Sequence, residues 1–351
     1  MPGHAAIASQ TRDTVADFAR TLLATDFGNA APIEHCFAVA GLGVCVNFSD
    51  PVLATAYTNR LPKSDGARLD IDHHLIAVHA ADLDWSAVPE WTDERCSPRR
   101  FHAILTAAGL SGTYPFAPGL WQIYDPAARK GVQLTGSRAD LPPWDFGAPL
   151  RHHLRWLLAQ HGFRLAHAAT LGRDGRGVLI VGDGGSGKSG TTLAGIAAGM
   201  TTCGDDYVAL GLEPSAAHLM FRVLKQDRPG LSRIAALHGR TDTLSENWQG
   251  KVELDPEALF PGCLTQRLTI GAALLPSITR RATAQAVPIG GGGLMRAMVR
   301  SNINQFPGED DHGLGFFAKF LAPLRCFRLE LALDPAENAR MIDRILQDLR
   351  P

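Results

Sequence analysis

The stretch Gly182–Ser189, GDGGSGKS, constrains this chain more than any other. It fits G-x-x-x-x-G-K-[ST], a spacing that works only where a strand runs through a tight loop into a helix. The flanks agree: GVLIV before it reads as a buried strand, and TTLAGIAAG after it as a helix apolar on nearly every side. Glycines allow positive φ and let several backbone N–H groups close round one anion. The helix that follows adds its free N–H groups and its dipole. Lys188 offers a full charge to the β- and γ-phosphates, and the Ser189 hydroxyl is a hard oxygen ligand suited to Mg²⁺. The expected ATP site therefore comprises Gly182, Asp183, Gly184, Gly185, Ser186, Gly187, Lys188, Ser189 and Gly190.

Around this loop the text alternates between strand and helix patterns. Arg164–Leu171 and Gly177–Val181 read as strands, Gly187–Ala198 as a helix, and Thr201–Cys203 and Tyr207–Leu210 as strand-like. Leu268–Leu275 is a further apolar run, Gly293–Gln305 and Leu314–Leu321 look helical, and Cys326–Leu333 is a strand. Asp334-Pro335, an N-cap followed by an N1 proline, opens a last helix to Leu349. The tetraglycine Gly290–Gly293 reads as a hinge or tight turn.

Upstream, residues 11–25 carry Val15, Phe18, Ala19 and Leu22 at helical spacing. His35–Phe48 is one bent strand or two short ones, and Asp72–Ala80, Leu120–Tyr124 and Gly131–Leu134 are further strands. The proline-rich Ser137–Pro149 separates these from the helix Leu150–Gln160 and places a domain border near residue 145. The expected architecture is α/β, with a smaller α+β N-terminal domain over 1–145 and the loop-bearing domain over 146–351.

With 351 residues the chain is long enough for two domains, and a net charge of −1 carries no polycationic footprint. Neither nucleic acid nor a membrane surface is the expected partner, and a homo-oligomer stays open. The first twenty residues lack a signal peptide's apolar core, and the six cysteines (Cys36, Cys45, Cys96, Cys203, Cys263 and Cys326) include no C-x-x-C pair. They read as reduced thiols, so the expected compartment is the cytoplasm.

After the loop helix, Cys203-Gly204-Asp205-Asp206-Tyr207-Val208 puts two carboxylates at a strand end. A carboxylate there can hold Mg²⁺ or take the proton of an attacking hydroxyl. Two solvated aspartates in a turn are the plainer alternative. Here the sequence resembles a known family. HAATLGRDGRGVLIVGDGGSGKSGTTLAGIAAGMTTCGDDYVAL is similar to the catalytic core of bacterial HPr kinase/phosphorylase, strongly over residues 164–210 and loosely over 146–350. His167, Gly182, Lys188 and Asp206 stand at the family's spacing without a gap.

The resemblance implies a mixed-sheet P-loop kinase fold of the phosphoenolpyruvate-carboxykinase type. It also implies roles: Asp206 as catalytic base, Lys188 on the transferred phosphoryl group, Ser189 and Asp205 on the metal, and His167 beside the phosphates. One family feature is missing, because no glutamate occurs between Glu213 and Glu246. Phosphorolysis of a phosphoserine product is therefore not expected.

Several weaker signals stay open. Lys225 could present a second cation, with Arg228 and Arg233 as alternatives, although a solvated loop is the simpler reading. Arg267, Arg280 and Arg281 are further candidates for a transition-state cation. His73, His74 and His79, like His152 and His153, read as ordinary strand and helix histidines. Glu309-Asp310-Asp311-His312 is a solvated loop or a lid facing the acceptor. The leading function is a kinase acting on a serine-type hydroxyl of a peptide or protein, with the N-terminal domain as candidate acceptor reader. A small-molecule kinase and a slow ATPase sensor are the alternatives.

Overall fold

The helical spacing of Val15, Phe18, Ala19 and Leu22 is realised in α1 (Gly3–Ala24), where all four are buried. The computed structural model describes the chain apart from residues 1–2, 29–30, 64–68, 83–96, 114–119, 137–140, 304, 306–312 and 350–351, and apart from the side chains of 3–13, 82, 98 and 280. The acidic stretch Glu309–His312, Cys96 and the Arg280 side chain lie outside the described residues. The chain is a mixed α/β protein that divides into two units, Met1–His161 and Gly162–Pro351. The sequence reading drew its border near 145. The structure groups the helix at 151–160 with the first unit.

In the first unit, β1 (Ile33–Val39) and β2 (Leu42–Phe48) form a hairpin around Ala40 and Gly41, both at positive φ. A two-residue turn of that hand matches strand twist, and it resolves one bent strand into two. α2 (Pro51–Thr58), β3 (Ile71–His79), α3 (Pro98–Ala107), β4 (Ser111–Thr113), β5 (Leu120–Asp125), β6 (Lys130–Thr135) and α4 (Arg151–Gln160) follow. The strands make a six-stranded mixed sheet ordered β1-β2-β3-β6-β5-β4, parallel at β2–β3 and β3–β6. One face buries Trp121, Ile123, Val132 and Leu134 under α1 and α3. On the other face Tyr124 stacks on Trp156 of α4.

The hairpin register sets Cys36 opposite Cys45, with Cα atoms 4.1 Å apart, and the two form a disulfide. This corrects the expectation that every thiol is reduced, so cysteine usage no longer argues for a reducing compartment. Cys203 and Cys263 are free and buried, and Cys326 is free and half-buried. No helix among the described residues is long and apolar enough to cross a membrane.

The second unit begins with β7 (Arg164–Ala166) and β8 (Ala169–Arg173), which read from sequence as one strand. They part at His167 because β7 pairs with a later strand while β8 pairs with β9 (Arg176–Ile180). Then come α5 (Lys188–Ala197), β10 (Val208–Leu212), β11 (Ser215–Leu219), β12 (Leu224–Gln226), α6 (Arg228–Ser232), β13 (Val252–Leu254), α7 (Pro256–Leu259) and β14 (Arg267–Arg281). β15 (Gln285–Pro288), α8 (Gly291–Asn302), α9 (Leu314–Leu321), β16 (Arg325–Ala332) and α10 (Pro335–Gln347) complete it. The tetraglycine is no hinge: Gly290 is the N-cap and Gly291–Gly293 the first turn of α8.

The eight-stranded sheet is mixed, with the order β15-β16-β14-β11-β10-β7, and β9 pairs with both β14 and β8. β9 and β16 run parallel to the long β14. Val178 and Ile180 of β9 join one apolar cluster with α5 and α10, while Leu179 and Val181 join another with α8 and α9. Burial on both faces is why GVLIV is apolar throughout rather than alternating. β12 and β13 pair as a separate two-stranded ribbon.

Candidate active site

β9 delivers the glycine-rich loop at its carboxyl end, where Val181 N–H still donates to Leu274 O at 2.9 Å. Gly185 at φ 79° and Gly187 at φ 98° need the left-handed region, and Gly187 is the N-cap of α5 with no side-chain cap. A Cβ on Gly182 would meet Ser186 Oγ at 2.6 Å, and one on Gly190 would come within 3.0 Å of Gln226 Nε2. Gly184 is open. Lys188 folds back over the loop, donating through Nζ to the carbonyls of Gly182 and Asp183. Only 7 % of it is exposed, and burial lowers its pKa against the opposing pull of Asp205, Asp206 and Asp183.

The aspartate pair is approached through a pinned segment. Thr202 Oγ1 donates to Thr170 O at 2.7 Å, Cys203 N–H to Thr170 Oγ1 at 2.8 Å, and Thr202 N–H to Cys263 O at 2.8 Å. The two side chains then diverge from a bend that precedes β10, not from a strand end as the sequence suggested. Asp205 turns towards α5, where Lys188, Ser189 and Thr192 surround it. It is 2 % exposed, and neither carboxylate oxygen makes a hydrogen bond of normal geometry. Burial, then the charge of Asp206, holds its pKa well above the usual carboxylate range.

Asp206 faces the other way. Its Oδ2 lies 3.0 Å from Lys225 Nζ and its Oδ1 3.8 Å from His167 Nε2. Despite burial, the His167 contact and the Lys225 charge hold its carboxyl well below the normal range. Asp206 thus keeps its charge far into acid, and Asp205 is the member that takes up a proton first as pH falls.

His167 sits at the break between β7 and β8, so its N–H is free of the ladder and donates to Asn302 Oδ1 at 2.7 Å. Its Nδ1 lies 2.7 Å from Ser301 Oγ, and Ser301 Oγ lies 3.2 Å from His167 O. The Ser301 hydroxyl can donate to Nδ1, which leaves the ring proton on Nε2, the nitrogen that faces Asp206. Tyr207 packs on the ring at 5.5 Å and donates to Gln305 Oε1 at 2.6 Å.

The loop, Lys188, Ser189, Asp205, Asp206 and His167 thus come together. Lys225, weighed in sequence as a second cation against a simpler solvated loop, is 9 % exposed and ion-paired with Asp206. Among the described side chains the other basic candidates have other partners or are exposed. Arg228 binds Glu246 and Leu244 O, Arg281 binds Glu330, and Arg233 and Arg267 are exposed. Sequence reasoning missed Ser301, Asn302 and Arg300, whose guanidinium grips Asp183 of the loop at 2.6 and 3.1 Å. It also missed Lys251, whose charge is felt at Lys188.

Some buried polar atoms here are unpartnered. Ser186 Oγ, Thr191 Oγ1 and both oxygens of Asp205 lack hydrogen-bond partners among the described residues. Hydroxyl and carboxylate oxygens are hard donors, so Asp205 with the adjacent Ser189 suits Mg²⁺. Two buried histidines of the first unit bind neighbours: His73 pairs with His161 and Tyr124, and His153 with two strand carbonyls. The one convergent trio of ligand types among the described residues, Glu34 with Cys36 and Cys45, has both thiols in the disulfide. An open cleft beside the first turn of α8, lined by Gly290, Gly292, Gly293, Arg296 and Arg328, includes no residue of the loop.

No family model matches the chain, and no curated protein matches it. Among solved structures, the HPr(Ser) kinase/phosphatase from Coxiella burnetii aligns with 13% identity and a TM-score of 0.28, covering 53% of this chain and 98% of that one. Similarity at that level assigns neither fold nor activity.

Proposed function

We propose that this chain is an ATP-dependent kinase with a P-loop fold of the HPr kinase type, moving a γ-phosphoryl group to a serine-type hydroxyl of a peptide or protein. The observation that carries the reading is the gathering of charged and unpartnered groups round one glycine-rich loop. Lys188, Lys225, Asp205 and Asp206 are buried or half-buried, and Lys225 is ion-paired with Asp206. The charges of both aspartates are felt at Lys188, and the unpartnered Ser186, Thr191 and Asp205 belong to the same loop, helix and aspartate pair. Unpartnered buried polar atoms cost stability, and a carboxylate with two free oxygens beside a glycine-rich loop is what a bound cation would satisfy. The peptide or protein acceptor rests on the motif resemblance, and the N-terminal unit is the proposed acceptor reader.

The residues divide the work. Lys188 and the loop hold the phosphates, and Lys225 stands where it can share its charge between Asp206 and an arriving phosphoryl group. Ser189 and Asp205 would hold Mg²⁺, which when bound neutralises phosphate charge. Asp206 is ionised throughout the physiological range and so always accepts a hydrogen bond from the attacking hydroxyl. Its low proton affinity suits a late proton transfer, as a loose phosphoryl-transfer transition state requires. His167, fixed by Ser301 and Asn302, keeps Asp206 in place.

The test is transfer of label from γ-labelled ATP with Mg²⁺ to serine-containing peptides, comparing the wild-type chain with Lys188→Ala. Label should appear on the serine hydroxyl, and the variant should lose about 10²- to 10³-fold or more, the scale for removing one strong electrostatic donor. Inorganic phosphate should not release pyrophosphate from the product. Undiminished transfer by Lys188→Ala would refute the assignment.

A further inference from the structure

The Arg300–Asp183 pair stands apart from the other ion pairs of this unit because it closes on the loop itself. Two atoms of the guanidinium meet both carboxylate oxygens, Nη2 to Oδ2 at 2.6 Å and Nε to Oδ1 at 3.1 Å. Such a fork is specific in geometry, yet the side chains are 70% and 45% exposed, so water competes and the pair is easily exchanged. The backbone beneath Arg300 is not free to wander. Ser301 and Asn302, the next two residues, are bound to His167, and Asn302 Nδ2 also donates to Met298 O at 2.7 Å. A long side chain on a fixed base can swing without disturbing the catalytic histidine.

Asp183 links two cations. Arg300 holds its carboxylate while Lys188 Nζ holds its backbone carbonyl, and the Asp183 charge is felt at Lys188. Arg300 therefore already lies at the rim of the space that Lys188 commands. An aspartate here would repel a phosphate chain unless its charge were covered. A triphosphate would present a far larger negative charge to the same guanidinium.

We propose that Arg300 is a phosphate-sensing cation of this site, held by Asp183 in the free chain and transferred to the terminal phosphate of a bound nucleoside triphosphate. The proposal rests on the kinase reading and adds a residue to it: Arg300 distinguishes triphosphate from diphosphate. In the diphosphate complex it stays on Asp183.

The experiment is calorimetry of the full chain with Mg-ATP and with Mg-ADP, in wild type, Arg300→Ala, Arg300→Lys and the Asp183→Asn background. Arg300→Ala should weaken ATP about 10- to 100-fold, the range for one charge-assisted hydrogen-bonded contact, and change ADP by no more than about twofold. Arg300→Lys should fall between, because it keeps the charge and loses the fork. The ATP loss should persist when Arg300→Ala is made on Asp183→Asn. If that background abolishes the loss, Arg300 serves only to neutralise Asp183 and the proposal is overturned. An unchanged ATP-to-ADP ratio in Arg300→Ala overturns it as well. Failure of the wild-type chain to bind either nucleotide would instead remove the kinase reading on which it stands.

Discussion

The two units bury polar groups in different ways. In Met1–His161 the buried polar side chains are mostly neutral ones: Gln122 bonds Gln133, Tyr57 bonds Gln133 and Asp145, and burial keeps His73, His152 and His153 from taking up protons. In Gly162–Pro351 the chain buries Lys188, Asp205 and Lys225, with Asp206 half-buried between them. Neutral hydrogen-bonded groups specify a core at modest cost. Buried charges are expensive and persist where function requires them. The contrast separates a scaffold from a site without reference to any relative.

The largest effect should come from dividing the aspartate pair. Asp206→Asn keeps shape but cannot accept a proton, so single-turnover transfer should fall about 10²- to 10⁴-fold while ATP affinity is retained. Asp205→Asn should act through Mg²⁺ and raise the metal concentration for half activity. The divergence of the two side chains, one towards Ser189 and the other towards His167 and Lys225, motivates the split. Thermal melting checks that Lys225, left without its counter-ion, has not unfolded the unit. If Asp206→Asn turns over normally while Asp205→Asn does not, the roles are exchanged and the contrast loses its centre.

Acid should then act with opposite sign on two buried groups, His153 of α4 and Asp205 beside α5, while His218 of β11, whose pKa is also lowered to about 4, adds a loss in the second unit. His153 is fully buried and its pKa is lowered to about 4. The unfolded chain takes up a proton near pH 6.5 and the folded chain does not, so the stabilisation is complete above that value and drains away towards pH 4. The arithmetic gives a loss of about 2 kcal/mol between pH 7 and pH 5 from this residue alone. Asp205 has a raised pKa, so the penalty of burying its charge is relieved as pH falls through that raised value. Hydrogen-exchange protection factors should therefore drop in α4 and not in α5. Equal loss in both helices would show that relief at Asp205 does not govern the opening of α5.

The glycine-rich loop and α5 were legible because their chemistry is local and fixed in spacing. α10 was legible through Asp334-Pro335, yet the same device opens α2 at Asp50-Pro51, α3 at Ser97-Pro98 and α7 at Asp255-Pro256. Those helices were readable and went unread. The split at His167 was not readable, since its N–H leaves the ladder for Asn302, a partner 135 positions away. Arg300 and Ser301 reach the site across similar separations. The burial of Lys225 depends on its pairing with Asp206, and a lysine in a polar stretch gives no sign of that. The Cys36–Cys45 disulfide follows from the two-residue turn at Ala40-Gly41, so the hairpin register contained it.

The smallest effects should be equal in the two units, which makes them a control on the contrast. Ser97 Oγ accepts from Arg100 N–H at 3.3 Å at the start of α3, and Asp334 Oδ1 from Ala336 N–H at 2.9 Å at the start of α10. Each satisfies one donor that the helix cannot, and Ser97→Ala or Asp334→Ala should cost about 1 kcal/mol in denaturant unfolding. The α10 cap bonds within its own first turn. α10 does pack against α5, through Ile342, Ile345 and Leu346 in the cluster that holds Leu193 and Ile196. Those contacts lie beyond the first turn, so fraying at Asp334 should leave them intact and ATP affinity unchanged by calorimetry. Tenfold weaker binding in Asp334→Ala would mean that the loop takes its geometry from α10 through α5. The second unit would then be a coupled machine, and its scaffold and its site could not be separated as the buried charges suggest.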